Sequence, residues 1–115
     1  MSVTVKICGI TSETDALAAV EAGADAIGLM FYDGSPRYVT IEQAKAICAV
    51  LPTHIMRVGV FVNADEAFIN RALNECLLNI GIYFHIFIFS IFYFPKLRFS
   101  KAYYFFNFIY CFFDF

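Results

Sequence analysis

Val3-Thr4-Val5-Lys6-Ile7-Cys8-Gly9-Ile10-Thr11-Ser12-Glu13-Thr14-Asp15-Ala16-Leu17 passes from a β-branched run, through a glycine, into the start of a helix. Val3–Cys8 reads as a short strand closed by Gly9. Ser12 with Asp15 three residues on is a capping-box start. Ala16, Leu17 and Val20 then form an apolar stripe that ends near Gly23. The stretch is one strand-then-helix unit, and the chain repeats it twice. Ala26–Phe31 is an apolar run too short for a helix, followed by the turn-rich Asp33-Gly34-Ser35-Pro36. Thr40 with Gln43 is a second capping box, opening a helix with Ile41, Ala44, Ile47 and Leu51 on one side, and Pro52 stops it. Arg57–Val62 is a third strand, and Asn63 with Glu66 is expected to cap a third helix. Ile69, Ala72, Leu73 and Cys76 in that helix follow the spacing of a buried face.

Three βα units with continuous apolar strands predict an α/β protein with a parallel sheet covered by helices. Two architectures fit that pattern, an open doubly wound sheet or a barrel of eight such units. Dinucleotide-binding sheets place a glycine-rich phosphate turn after the first strand, and Cys8-Gly9-Ile10-Thr11 does not have that G-x-G-x-x-G form.

The composition breaks in two. Residues 1–76 hold five aromatics and fourteen charged residues, an ordinary soluble mixture, whereas residues 77–115 hold seventeen aromatics and only four charges, Lys96, Arg98, Lys101 and Asp114. The two parts are therefore expected to be distinct, 1–76 as βα units and 77–115 as an aromatic-rich apolar tail. A hydrophobic share of 61% over the 115 residues excludes a disordered chain. A net charge of −2 without clustered Lys and Arg argues against nucleic-acid binding. No secretory leader is read in Met1–Thr11, and the four cysteines lack a disulfide-framework spacing, so a reduced, cytoplasmic setting is expected.

Several blocks carry a family resemblance: Lys6-Ile7-Cys8-Gly9-Ile10-Thr11; Asp15-Ala16; Ala22-Gly23-Ala24-Asp25-Ala26-Ile27-Gly28; Phe31 with Ser35-Pro36-Arg37-Tyr38-Val39; and Val58-Gly59-Val60-Phe61-Val62-Asn63. In this order and spacing, residues from about 3 to 76 resemble phosphoribosylanthranilate isomerase of tryptophan biosynthesis, a route of aromatic amino-acid biosynthesis. The resemblance implies TIM-barrel (β/α)8 ancestry, with about three of the eight βα units present. It also implies an aldose–ketose isomerase activity, the Amadori rearrangement of N-(5-phosphoribosyl)anthranilate to its 1-deoxyribulose phosphate product. The substrate is a small phosphoribosyl compound, and the reaction uses no cofactor and no metal.

Such a shift needs an acid to open the sugar ring and a base to take a proton from the neighbouring carbon. Cys8 closes the first strand, on the face where barrel active sites lie. Read alone, it is better explained as a small buried hydrophobe; the resemblance makes it the general base, a role a thiolate can fill. Arg37, in the loop after the second strand, reads alone as a solvated arginine, and the resemblance makes it a substrate-binding residue for the anthranilate carboxylate. Lys6 is expected to point away from Cys8 along the strand, in a structural role. Cys48 and Cys76 read as core, His54 as surface, and Asp65 and Glu66 as helix-start charges; Cys111 has no readable role. No metal site is arguable from these residues.

By the same resemblance, the general acid is an aspartate on a later strand, and the phosphate is held by the last two βα loops. No motif after residue 76 matches either, and Asp114 is the sole carboxylate after Glu75. The chain is accordingly expected to be a truncated form, inactive alone. Phe, Tyr, Ile, Asn and Lys fill 27 of the 39 tail positions. These are the residues of A/T-rich codons, which points to non-coding or frame-shifted sequence in place of the remaining barrel. The rival reading is a membrane-tethered or interaction protein that reuses a barrel fragment. It rests on Leu77–Phe94, eighteen residues without a charge, followed by Lys96, Arg98 and Lys101. Oligomeric state is not readable.

Overall fold

The computed structural model describes residues 3–84 and 109–111. Four strands alternate with three helices: β1 (Val5–Cys8), α1 (Glu13–Glu21), β2 (Ala26–Met30), α2 (Ile41–Val50), β3 (Met56–Val62), α3 (Glu66–Glu75) and β4 (Ile80–Phe84), with a short β5 (Ile109–Cys111). The strands form one parallel sheet in the order β4-β3-β2-β1-β5. The three predicted βα units are present, and a fourth strand follows them inside the segment read as tail.

Strand alternation sorts the side chains onto two faces. Ile27 and Leu29 of β2 and Phe61 of β3 are fully buried against the helices, where they meet Ala16 and Ala19 of α1, Ala44 and Ile47 of α2, and Ile69 and Ala72 of α3. Small residues on α1 let that helix lie close to the sheet. Phe31 stacks on Phe61 with ring centroids 5.2 Å apart, and Phe68 meets both edge-on at 6.2 and 6.3 Å. Ile41, Ala44, Ile47 and Leu51 are buried together, as their spacing predicted. On α1 the buried pair is Ala16 and Ala19; Leu17 is 46% exposed, one position round the helix from the stripe expected of it.

The helix starts are set by side chains. Ser12 Oγ accepts from the Asp15 amide at 3.1 Å. Thr40 and Gln43 form the complete reciprocal box, at 3.1 and 2.9 Å. The third helix corrects the expectation: Asp65, not Asn63, is its N-cap, accepting from the Phe68 amide at 2.7 Å. Asn63 instead takes a left-handed backbone with φ 50°, turning the chain at the end of β3.

At the opposite end of the sheet, two side chains standing just before strands tie neighbours into register. Asp25 Oδ2 accepts from the Val5 amide at 2.8 Å, and the Asp25 amide returns a bond to the Val5 carbonyl at 2.9 Å. Asn79 repeats the device on β3: its Oδ1 accepts from the Arg57 amide, and its own amide donates to the Arg57 carbonyl, each at 2.8 Å. The Arg57 guanidinium donates to the carbonyls of Cys48, Leu51 and Ile55, at 3.1–3.2 Å. It thereby satisfies carbonyls that the end of α2 leaves open.

Among the described residues no helix is long and apolar enough to cross a membrane. Of the apolar run at 77–94, residues 80–84 form β4, and 85–94 lie outside the described residues, as do Lys96, Arg98, Lys101 and Asp114.

Candidate functional site

The C-terminal end of β1 and the start of α1 open onto a cleft of about 450 Å³, lined by Cys8, Gly9, Ile10, Thr11, Asp15 and Arg37 among others. That volume falls within the range of small-molecule sites. Parallel strands make this possible, because every strand delivers its last residue to the same edge of the sheet.

Cys8 ends β1, and its thiol is half-buried. The chain then turns through Gly9 at φ +82°, a left-handed conformation that side chains resist. The amides of Gly9 and Ile10 both donate to the Gly28 carbonyl, at 3.0 and 3.3 Å, pinning the turn to β2. Gly28 stands in register with Cys8. A Cβ there would lie 2.6 Å from the Cys8 sulfur. Glycine at this position is therefore what gives the thiol its room.

Arg37 reaches the cleft from the loop between β2 and α2. That loop is folded by its own polar groups: Ser35 Oγ accepts from the Arg37 amide at 3.1 Å, and the Ser35 carbonyl accepts from the Tyr38 amide at 3.2 Å. The Val39 amide closes it onto the Met30 carbonyl at 3.0 Å. The half-buried Arg37 side chain lies across Gly9, so close that a Cβ at Gly9 would collide with its Cδ. The two candidate residues thus share one cleft, although 28 positions separate them in sequence.

Lys6 requires a correction. Residues two apart in a strand share a face, so Lys6 stands on the same side of β1 as Cys8 rather than away from it. It is only 3% exposed, and it is the buried charged residue of the described part. Burial pushes its pKa below the usual lysine range, and the charge of neighbouring Cys8 acts in the opposite sense. Gly28 was the neighbour of Cys8 not singled out in the sequence, because finding it needed the cross-strand register.

The other cysteines behave as core. Cys48 and Cys76 are 6% and 2% exposed. Burial raises the Cys48 thiol pKa against the opposing effect of Arg57, and burial pushes Cys76 up to about 11. The Cys76 thiol donates to the Ile41 carbonyl at 3.6 Å. His54 is exposed, and Cys111 closes β5. Among the described residues no three His, Cys, Asp or Glu side chains gather as a metal site.

Known proteins are similar to this chain in sequence and in fold. An N-(5'-phosphoribosyl)anthranilate isomerase of Geobacter sulfurreducens is 59% identical over 78 residues, covering 68% of this chain and 38% of the relative. The enzyme of the same name from Pseudomonas savastanoi pv. phaseolicola is 58% identical over 80 residues, 70% of this chain and 38% of its own length. The chain thus spans under two fifths of these relatives. A solved phosphoribosyl anthranilate isomerase of Thermotoga maritima superposes with a TM-score of 0.71 at 45% identity, covering 74% of this chain and 42% of that one. Another, in complex with reduced 1-(o-carboxyphenylamino)-1-deoxyribulose 5-phosphate, gives 0.71 at 45% identity, over 74% of this chain and 44% of that one. The model of the N-(5'phosphoribosyl)anthranilate isomerase family matches residues 5–82, continuing past residue 76 into β4, and the chain belongs to that family.

Proposed function

We propose that residues 5–82 supply the base and the carboxylate-binding half of an isomerase site acting on N-(5-phosphoribosyl)anthranilate. The observation that carries this reading is the meeting of Cys8 and Arg37 in one cleft at the C-terminal edge of a parallel sheet. In the proposed reaction the sugar's ring oxygen takes a proton as its bond to C1 breaks, and the amine nitrogen forms a double bond to C1. The Cys8 thiolate takes the C2 proton, and the electron pair left behind gives an enolamine. Loss of the enol proton and protonation of C1 then yield the aminoketose, with no atom gained or lost overall. Arg37 holds the anthranilate carboxylate through paired N–H donors. The reaction as proposed draws on no cofactor or metal.

The acid and the phosphate contacts belong, in this family, to later βα units that the match to residues 5–82 does not reach. The 115 residues alone are therefore proposed to be inactive, and residues beyond the match are proposed to be unrelated to the barrel. The transcript across the codons from Asn74 through β4 tests the second point: continuation into further βα sequence would refute it. Three free thiols among the described residues favour a reducing, cytoplasmic setting.

The functional test is a chimera joining residues 1–84 to the later units of a relative. Isomerase turnover is expected, and Cys8→Ala in that chimera should lower it at least about a hundredfold, the scale of a lost general base. Near-normal turnover in Cys8→Ala would return Cys8 to packing.

A further inference from the structure

Strands β1 to β4 are neighbours in chain order, and right-handed crossovers between parallel neighbours put all three connecting helices on one face of the sheet. Ile27, Leu29 and Phe61 point to that face and belong to the core the helices complete. The alternate positions point the other way. They stand in rows across the sheet: Lys6 beside Ala26 and Met56, Cys8 beside Gly28 and Val58, and Met30 beside Val60. On this second face Ala26, Val58 and Val60 are 0%, 1% and 4% exposed, yet none of them belongs to the helix-side core. A valine on a bare sheet face keeps water above it, so this burial requires a second layer. Among the described residues no helix lies on that side.

The topology says which part of the chain is available to form it. β4 and β5 stand at opposite edges of the five-stranded sheet and run parallel, so the chain between them must cross the sheet. Four strand spacings make that crossing about 19 Å. Residues 85–108 can reach about 80 Å when extended, enough to cross and to return to the start of β5. One face is already occupied by α1, α2 and α3. We propose that the other face is the docking surface of residues 85–108, whose aromatic side chains form the layer over Ala26, Val58 and Val60. Eleven of these 24 residues are Phe or Tyr, side chains that each cover a large apolar area. The segment is unrelated in sequence to the barrel, yet it takes the place of the barrel interior against this sheet. The chain is then a sheet that covers itself, not an open half awaiting a second chain. This inference is independent of the roles given to Cys8 and Arg37.

Met30 and Met56 are half-buried at the two ends of this face and serve as reporters without any substitution. The full chain is made with photo-methionine, irradiated, digested and mapped by mass spectrometry. Crosslinks from Met30 and Met56 into peptides of 85–108 are expected, and they should be lost in urea, which separates docking from chance encounters along one chain. Mixing isotopically light and heavy chains distinguishes links within a chain from links between chains. Crosslinks confined to residues 1–84 would overturn the proposal. So would links to 85–108 found only between light and heavy chains, which would assign the cover to a second copy. Methyl NMR of the unmodified chain gives an independent reading. The Val58 and Val60 methyls should show contacts to ring protons of Phe and Tyr residues between 85 and 108, and contacts to none of those rings would equally refute the docking. Neither measurement depends on isomerase turnover.

Discussion

A methyl group added at Gly28 would stand 2.6 Å from the Cys8 sulfur, closer than real side chains approach, and a tight 3.0 Å from the Cys8 Cα. Gly28→Ala should therefore displace the thiol and cost about 1–3 kcal/mol, the usual range for overpacking. Urea unfolding reads the cost, and the rate of Cys8 alkylation reads the displacement; a variant equal to the parent in both would remove Gly28 from the site. Gly9 is constrained differently, by its left-handed backbone as well as by the Arg37 side chain lying across it. Arg37 itself is best judged in the active chimera. Arg37→Ala should weaken the transition-state complex by about 1.5–3 kcal/mol, the worth of a charge-assisted hydrogen bond. Lysine should substitute poorly because it lacks the planar pair of donors. Kinetics unchanged in both variants would make Arg37 a bystander.

At the scale of the elements, the start of α3 separates two residues that look interchangeable in the sequence. Asp65 accepts from the Phe68 amide, so Asp65→Ala should lower stability by about 0.5–2 kcal/mol. Asn63 holds a left-handed turn that glycine adopts without strain and is not the cap, so Asn63→Gly should cost less than Asp65→Ala. Thermal melts of the two variants check the order, and a larger loss in Asn63→Gly would restore Asn63 as the cap. The exposed Arg71–Glu75 pair lies within α3 at 2.7 Å, and the exposed Arg71–Glu42 pair bridges α3 to α2 at 3.3 Å. Arg71 holds the Glu75 carboxyl below its ordinary pKa. Both pairs face water, so they add little to stability and are weakened by salt. The Asx side chains at the strand starts matter more for register, since Asp25 and Asn79 each join two strands by a pair of bonds.

For the whole molecule, the α2–α3 layer of the core carries a signature at alkaline pH. Cys76 is pushed from an ordinary value of 9.0 up to about 11 by burial, and Cys48 is raised for the same reason. A thiol whose folded pKa lies above its unfolded one favours the native state fully below the unfolded value, and that contribution is lost as pH rises through the folded value. Stability should therefore fall between about pH 9 and pH 11. Urea midpoints across that window should decline less steeply in Cys76→Ala than in the parent chain. Equal slopes would show that Cys76 ionises no differently folded than unfolded.

The local rhythm of this protein was legible in its sequence because its causes are local. Caps at Ser12 and Thr40, the stop at Pro52, and the spacing of Ile41, Ala44, Ile47 and Leu51 depend on residues within a turn or two. The blocks around Cys8 and Arg37 likewise carried the family in their order alone. What only the tertiary structure decided depends on pairings between distant segments. Parallel register sets Gly28 beside Cys8, a loop fold brings Arg37 over Gly9, and Asn79 draws a fourth strand onto β3 from within a segment whose composition read as tail. Asp65 displaced Asn63 as a cap because the turn after β3 takes a left-handed residue first. Lys6 lay between these cases: alternation along the strand assigns its face, while its burial follows from the packing around β1. Cross-strand contacts arise from backbone hydrogen bonds that any apolar strand can make. The sequence of one strand therefore specifies its own faces but not which neighbour stands opposite each residue.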